Sequence, residues 1–245
     1  MDRKVAVYTG TRNLYTGMEC SAKSLYAHTD VDEIWFLIED DEFPTELPDY
    51  VHVKNISDCV WEWLNPVGPN MKSPFTYMAL VRACLAFMPE FEDLDKILSL
   101  DCDVAFVKDC PEIFDLPVDD CYLSASVEPK KHVEYMMDYC NTGVALYNLG
   151  KLRDGKAEEV LHLVNVRKLA NDVQDAFSLL CQGHIHLMPS KYNANPFTEP
   201  CNNPSVVHYA GQRNWMQNKP ISNWKIVPWV TVEQNHRLVL ESLGM

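Results

Sequence analysis

Basic charge is in short supply in this 245-residue chain: 21 lysines and arginines stand against 35 aspartates and glutamates, a net charge of −14. That deficit argues against a general nucleic-acid binder, whose affinity comes from neutralising phosphates with Lys and Arg. A small local basic cluster for a phosphorylated small molecule stays open. The nine cysteines are scattered singly from Cys20 to Cys201 and include no C-x-x-C pair, so neither a zinc site nor a thioredoxin-like motif is supported. No apolar run approaches the roughly 18 residues of a membrane span, and Met1-Asp2-Arg3-Lys4 opens without an apolar signal region. These absences point to buried thiols in a reducing cytoplasm. The first strand-to-helix turn lacks both G-x-G-x-x-G and the Walker pattern, against a dinucleotide or P-loop fold. No repeat, low-complexity tract or linker breaks the chain, which reads as one domain over residues 1–245.

The apolar fraction of 47% and charged fraction of 23% are ordinary for a protein with a full core. Val5-Ala6-Val7-Tyr8 reads as a strand, Thr9 to Gly17 as a polar loop, and Met18 to Tyr26 as a helix. Strands at Ile34–Ile38 and, more weakly, Val51–Val53 complete a βαβ unit with a parallel sheet. An irregular aromatic loop from Asp58 to Asn70 holds Trp61 and Trp63. Ser73-Pro74 opens a helix that runs through Phe87. Beyond the strand at Lys96–Leu100 come a helical turn near Pro111 and strands at Tyr122–Ala125 and Val144–Tyr147. Helices near Leu152–Leu163 and Val173–Cys181 follow, then a strand at Ile185–Met188. A Pro/Asn-rich loop reaches Pro204, Val206–Tyr209 is an isolated strand, and Val232–Leu243 is an amphipathic tail. The domain divides into a first part over residues 1–105, a second over 106–230 and a terminal helix at 231–245.

The chain turns on Lys96-Ile97-Leu98-Ser99-Leu100-Asp101-Cys102-Asp103-Val104. Successive strand residues point to opposite faces, so Asp101 and Asp103 share one side of the chain. Two carboxylates on one spot repel unless a cation sits between them, and hard oxygen ligands favour Mg²⁺, Mn²⁺ or Ca²⁺. Ligands of open parallel sheets gather beyond the carboxyl ends of the strands, where this pair falls. Taken alone, Asp-X-Asp fits a solvated strand end better.

The ordered set decides otherwise. Leu100-Asp101-Cys102-Asp103-Val104, Pro111-Glu112-Ile113-Phe114, Asn141-Thr142-Gly143-Val144, Gln174-Asp175-Ala176 and His208-Tyr209-Ala210-Gly211 together resemble the family 8 glycosyltransferases, from about Val5 to Trp215. The resemblance implies a single Rossmann-like α/β domain of the A-type glycosyltransferase fold, with a mixed, mostly parallel central sheet. It implies a retaining enzyme that moves a hexose or related sugar from a UDP-sugar to a hydroxyl acceptor on a glycan, a protein or another compound. Asp101, Asp103 and His208 would hold Mn²⁺, with Mg²⁺ as the alternative. Thr9, Gly10, Thr11 and Tyr15 match the uridine segment, the ring of Tyr15 stacking on the base. Arg12 stands where members often carry an acidic residue or Asn. Arg82 matches a basic position that contacts the diphosphate or holds an aspartate, and Cys102 lies between the metal ligands.

Asn141, Thr142 and Gly143 would run along the donor sugar, Gly143 allowing close backbone approach. Gln174 and Asp175, grouped with Asn141 as catalytic, match the end of the family's Asp-Gln-Asp, whose first residue is Val173 here. Gly211 closes His-X-X-Gly, and the family's leaving-group lysine falls to Arg213, with Lys219 as the alternative. With no convincingly placed nucleophile, a front-face mechanism follows, resting on positioning and electrostatics. Acceptor contacts fall to the loops Trp61–Asn70 and Tyr192–Asn203, while His184 and His186 read as structural. The competing functions are a nucleotidyltransferase acting on a sugar phosphate and a catalytically weak nucleotide-sugar-binding protein.

Overall fold

The computed structural model describes residues 3–72, 76–135 and 137–211. An inner strand, β1 (Val5–Thr9), is buried at every position, as an apolar strand covered on both faces should be. The helix α1 (Tyr15–His28) begins earlier than the expected Met18, because Tyr15 is itself a core residue. Tyr15, Met18, Ala22 and Leu25 form its buried stripe, spaced as one helical face requires. β2 (Glu33–Ile38) and β3 (Val51–Asn55) extend the sheet in parallel from β1.

The segment expected as an α-helix up to Phe87 forms 3-10 turns at Tyr77–Phe87; Ser73 and Pro74 lie outside the described residues. Its side chains are buried almost all round, so tertiary packing outweighs local preference. The three-residue period places Ala79 and Arg82 on one side, and both line the cavity described below. β4 (Lys96–Leu100) returns beside β1 with Tyr8 opposite Leu100. The Thr9–Thr11 turn and Asp101 therefore leave the same edge of the sheet. Asp101-Cys102-Asp103 is a turn between β4 and β5 (Val104–Phe106) rather than strand, so turn geometry, not strand alternation, brings its carboxylates together.

β6 (Leu123–Val127), α2 (Pro129–Tyr135), β7 (Cys140–Asn148), α3 (Leu149–Leu152), α4 (Lys156–Val166), α5 (Asp172–Leu180), β8 (Ile185–Leu187) and β9 (Val206–His208) complete the order. The seven strands of the main sheet run β3-β2-β1-β4-β7-β6-β8. β7 is antiparallel to both neighbours and the other pairings are parallel, which is the mixed, mostly parallel sheet expected. One core cluster gathers α4, α5 and the 3-10 segment on the sheet, and a second gathers α1 and β5.

Two irregularities shape the site. Pairing of β6 with β7 jumps between Ala125 and Ser126, from Ala145 to Asn141, so Thr142 and Gly143 fall in the step. Bulges of this kind re-aim side chains next to active sites. β9, expected to be isolated, pairs antiparallel with β5, Val104 opposite His208. That pairing brings the imidazole beside Asp103. Among the described residues no helix is long and apolar enough to cross a membrane. The expected terminal helix at 231–245 lies outside the described residues.

Candidate functional site

A cavity of about 350 Å³ opens beyond β4, with Asp101, Asp103, Gly143 and His208 in its wall. His208 Nε2 lies 3.3 Å from Asp101 Oδ2 and 3.3 Å from Asp103 Oδ1. One ligand atom from each residue falls within 4.8 Å of the others. Arg82, buried beneath them, donates from Nη2 to Asp101 Oδ1 and from Nη1 to Thr142 O at 3.4 Å. Its Nε–H has no hydrogen-bond partner among the described residues.

Burial opposes ionisation of Asp101, yet the Arg82 guanidinium and His208 hold it well below the usual carboxylate range. Burial would likewise lower the His208 pKa, but Asp103 and Asp101 outweigh it and raise it to about 10. Imidazolium and guanidinium thus offset the carboxylates in the metal-free protein. A Cβ on Gly143 would collide with the His208 ring, so the expected glycine tolerance serves the ligand cluster. Two carboxylate oxygens and one imidazole nitrogen facing one point suit a hard divalent ion that accepts nitrogen, Mn²⁺ better than Mg²⁺. His208 Nδ1 lies 2.9 Å from Asn193 Oδ1, the outer hydrogen bond that metal-bound histidines make.

Farther along the wall, amides take over. Asn141 donates to Glu128 Oε1 at 2.9 Å, while its oxygen accepts from Gly143 N at 3.1 Å. Gln174 accepts from Thr142 N at 3.1 Å and donates to Glu128 Oε1 at 3.2 Å. Lys131 stands 3.4 Å from Glu128 Oε2. Gly211, at φ 73°, closes the cavity in a conformation that favours glycine.

The cavity therefore gathers Arg82, Asp101, Asp103, Asn141, Thr142, Gly143, Gln174, His208 and Gly211. Among the described residues, Thr9, Gly10, Thr11, Tyr15, Cys102 and Asp175 are not in its lining. Thr9, Gly10 and Thr11 stay at the shared sheet edge, where Gly10 N donates to Leu37 O at 3.2 Å. A Cβ at Gly10 would lie 2.7 Å from Met18 Sδ. Cys102 is half-buried in the turn.

Tyr15 corrects an expectation. Only 4% exposed, its ring packs 5.0 Å from Phe43 and its hydroxyl donates to Asp40 Oδ2 at 2.8 Å, so it is a core residue rather than an open stacking face. Arg12 also pairs with Asp40. Asp175 is a second correction. Its oxygens accept from Ala170 N at 2.8 Å and Asn171 N at 3.0 Å, and from the Tyr139 hydroxyl. It caps the start of α5 instead of facing the cavity. Arg213 and Lys219 lie outside the described residues.

The expected acceptor loops also differ. Asn70 is buried and binds Val164 O at 2.7 Å and Arg167 O at 2.8 Å. Asn193, Asn195 and Thr198 are buried too, leaving half-exposed Phe197 in the cavity wall. His186 binds Ser124 Oγ at 2.8 Å, the structural role expected of it.

Sequence reasoning missed Glu128, Lys131, Asp172 and Asn193. Glu128 carried a signal, an acidic residue at a strand's carboxyl end beside Pro129. The Asn193-Ala194-Asn195 alternation was another. Asp172 carried none: it is the one non-glycine residue with positive φ, 45°, among those described, a conformation found at functional sites, and it lines the cavity.

A mixed sheet with an Asp-X-Asp turn at the carboxyl end of an inner strand defines the A-type glycosyltransferase class. The chain belongs to glycosyl transferase family 8, which it matches over residues 6–219, and it is accordingly a glycosyltransferase. The galactosyltransferase LgtC, solved with donor and acceptor sugar analogs, superposes with a TM-score of 0.68 at 18% identity, over 96% of this chain and 95% of that one. Mouse xyloside xylosyltransferase 1 gives 0.63 at 14%, over 87% of this chain and 99% of that one. The bifunctional WbbM gives 0.68 at 13% and 87% of this chain, which spans 47% of WbbM. No curated protein matches the chain.

Proposed function

We propose that this glycosyltransferase takes a UDP-sugar as donor and transfers its sugar, with retention of configuration, to a hydroxyl acceptor in a Mn²⁺-dependent reaction, the chain acting as one domain. The observation that carries the reading is the convergence of Asp101, Asp103 and His208 within 4.8 Å at a cavity wall that also presents Arg82. Asp101, Asp103 and His208 would hold the ion. A divalent cation bound there supplies Lewis-acid stabilisation of charge on the departing diphosphate.

Arg82 keeps an Nε–H without a partner among the described residues, a guanidinium donor suited to a phosphate oxygen. The Thr9–Thr11 turn, on the same sheet edge, offers backbone and hydroxyl groups to the uracil edge. Asn141 and Gln174 hold the donor-sugar wall, and Asp175 supports Gln174 through Tyr139, whose hydroxyl accepts from Gln174 Nε2 at 3.2 Å. Glu128 is committed to Asn141, Gln174 and Lys131, which makes it a poor nucleophile and favours the front-face route. On that route the leaving phosphate takes the acceptor's proton, and the enzyme contributes position and electrostatics. Nine free thiols suit a reducing cytoplasmic setting.

A thermal-shift screen of nucleotide sugars with and without Mn²⁺ tests the reading, because a ligand of the native state raises its stability. A UDP-sugar should raise the melting temperature only when Mn²⁺ is present. No shift with any nucleotide sugar would refute the proposal, and a covalent glycosyl-enzyme adduct would refute the front-face route alone.

A further inference from the structure

We infer that Asn193, anchored through Asn141 by Glu128, is a positioning residue that fixes the tautomer of His208 and so aims Nε2 at the metal position; this rests on the metal-site reading above. Oxygen and nitrogen of a side-chain amide differ little in shape, so neighbours decide which way each amide points. Here both ends of a chain of amides decide it. The carboxylate of Glu128 faces donors on both oxygens, Lys131 at Oε2 and Gln174 at Oε1, so Asn141 turns Nδ2 toward it, at 2.9 Å. The Gly143 N–H can only donate, and it meets Asn141 Oδ1 at 3.1 Å.

With Asn141 fixed, its Oδ1 accepts from Asn193 Nδ2 at 3.0 Å, and its backbone oxygen does so at 3.3 Å. Asn193 must then present Oδ1 to the imidazole, and Asn195 Nδ2 donates to the same oxygen at 2.9 Å. His208 Nδ1, 2.9 Å from that oxygen, carries the hydrogen, which leaves Nε2 facing Asp101 and Asp103. Every member is buried: Glu128 is 3% exposed, Asn141 6%, Asn193 and Asn195 0%, and His208 2%. Asn193 and Asn195 are fully enclosed and lie outside the cavity lining. At the imidazole end water therefore cannot replace a missing partner, and the polarity of the chain belongs to the protein.

The test is Mn²⁺ affinity by calorimetry on the intact protein, with no turnover needed. Asn193→Leu should weaken binding about 10- to 100-fold, the range for lost outer partners of metal ligands. Glu128→Leu should act in the same direction. The double variant should lose no more than Asn193→Leu alone, since both changes cut one chain. Should Glu128→Leu fail to fold, Glu128→Gln should also weaken Mn²⁺ binding, because its single oxygen cannot serve the amides at Oε1 and Lys131 at Oε2 together. Wild-type affinity in Glu128→Gln would overturn the link from Glu128. Ring-nitrogen NMR of the Mg²⁺-loaded wild type should find the His208 hydrogen on Nδ1.

Wild-type affinity in Asn193→Leu would overturn the inference while leaving the metal site standing. Additive losses in the double variant would overturn the link from Glu128. A wild type that binds no Mn²⁺ would overturn the metal reading itself, a result distinct from either.

Discussion

Gly143 and Asp101 stand closer than any side chain at position 143 would allow: a Cβ there would lie 2.6 Å from Asp101 Oδ2. The backbone binds them as well, Asp101 N donating to Gly143 O at 2.8 Å. Neither group can retreat without breaking the junction of β4 and β7. Gly143→Ala should therefore push Asp101 and His208 apart. We expect a stability loss of about 1–3 kcal/mol from overpacking and a much larger relative loss of Mn²⁺ affinity. Calorimetric titration beside a thermal melt checks this, and an alanine variant that binds Mn²⁺ normally would remove Gly143 from the site.

The second prediction concerns pH. His208 is raised to about 10 in the metal-free fold, against about 6.5 unfolded. A raised pKa contributes stability that is fully present below about 6.5 and lost as pH climbs through 10. Asp101 is depressed, so its contribution is present above about 4 and lost on acidification. In chelator, the stability advantage of wild type over His208→Gln should shrink between pH 7 and 10. An advantage that stays constant over that range would contradict the assignment. Mn²⁺ must displace the same proton, so its affinity should rise with pH across this window.

Much of this was legible in the residues, and what was hidden has physical causes. Buried apolar strands such as Val5–Tyr8 and Ile34–Ile38 announce themselves, because a strand covered on both faces has few alternatives. Asp101, Asp103 and His208 were legible as a set from their order along the chain. Two corrections share one cause: Tyr15 and Asp175 have chemistry that suits a site, but Phe43, Asp40 and the start of α5 claim them first. Pairwise packing of that kind is invisible to motif order. The partners of His208 were hidden for the converse reason, since Asn193 sits in a Pro/Asn-rich stretch that resembles a variable surface loop.

Tyr15 gives the third prediction. Its ring is buried against Phe43, so Tyr15→Ala should cost about 3–5 kcal/mol of stability, as aromatic truncations in cores do. Binding of UDP and of base-free pyrophosphate should then weaken together. A variant of wild-type stability that loses UDP and keeps pyrophosphate would restore Tyr15 as the stacking platform.

Asp175 gives the fourth. Burial works against its charge, but hydrogen bonds from Tyr139, Asn171 and Ala170 keep its pKa below the ordinary value, so this contribution is lost as pH falls. Asp175→Ala should cost about 1–2 kcal/mol, the scale of a lost helix cap. Asp175→Asn, which keeps an oxygen for the backbone N–H groups, should cost less. Urea denaturation resolves the difference, and an alanine variant as stable as wild type would dismiss the cap.

Arg82 separates two roles that one side chain combines. Its Nη2 neutralises Asp101, while its buried Nε–H has no partner among the described residues. Lysine preserves the charge but offers no fork of donors. If the free donor serves the diphosphate, Arg82→Lys should keep Asp101 ionised yet lose about 1.5–3 kcal/mol in kcat/KM, the worth of a hydrogen bond to a charged group. Arg82→Met removes both roles and leaves the half-buried Asp101 with His208 as its remaining cationic partner, which costs more than the lysine change because one compensating charge is lost. Its Asp101 should take up a proton at higher pH, moving the acidic limb of Mn²⁺ binding upward. Steady-state kinetics with a series of donor concentrations, alongside Mn²⁺ titrations at several pH values, distinguish the two variants. Wild-type kcat/KM in Arg82→Lys would confine Arg82 to holding Asp101, and an unmoved acidic limb in Arg82→Met would deny it that role as well.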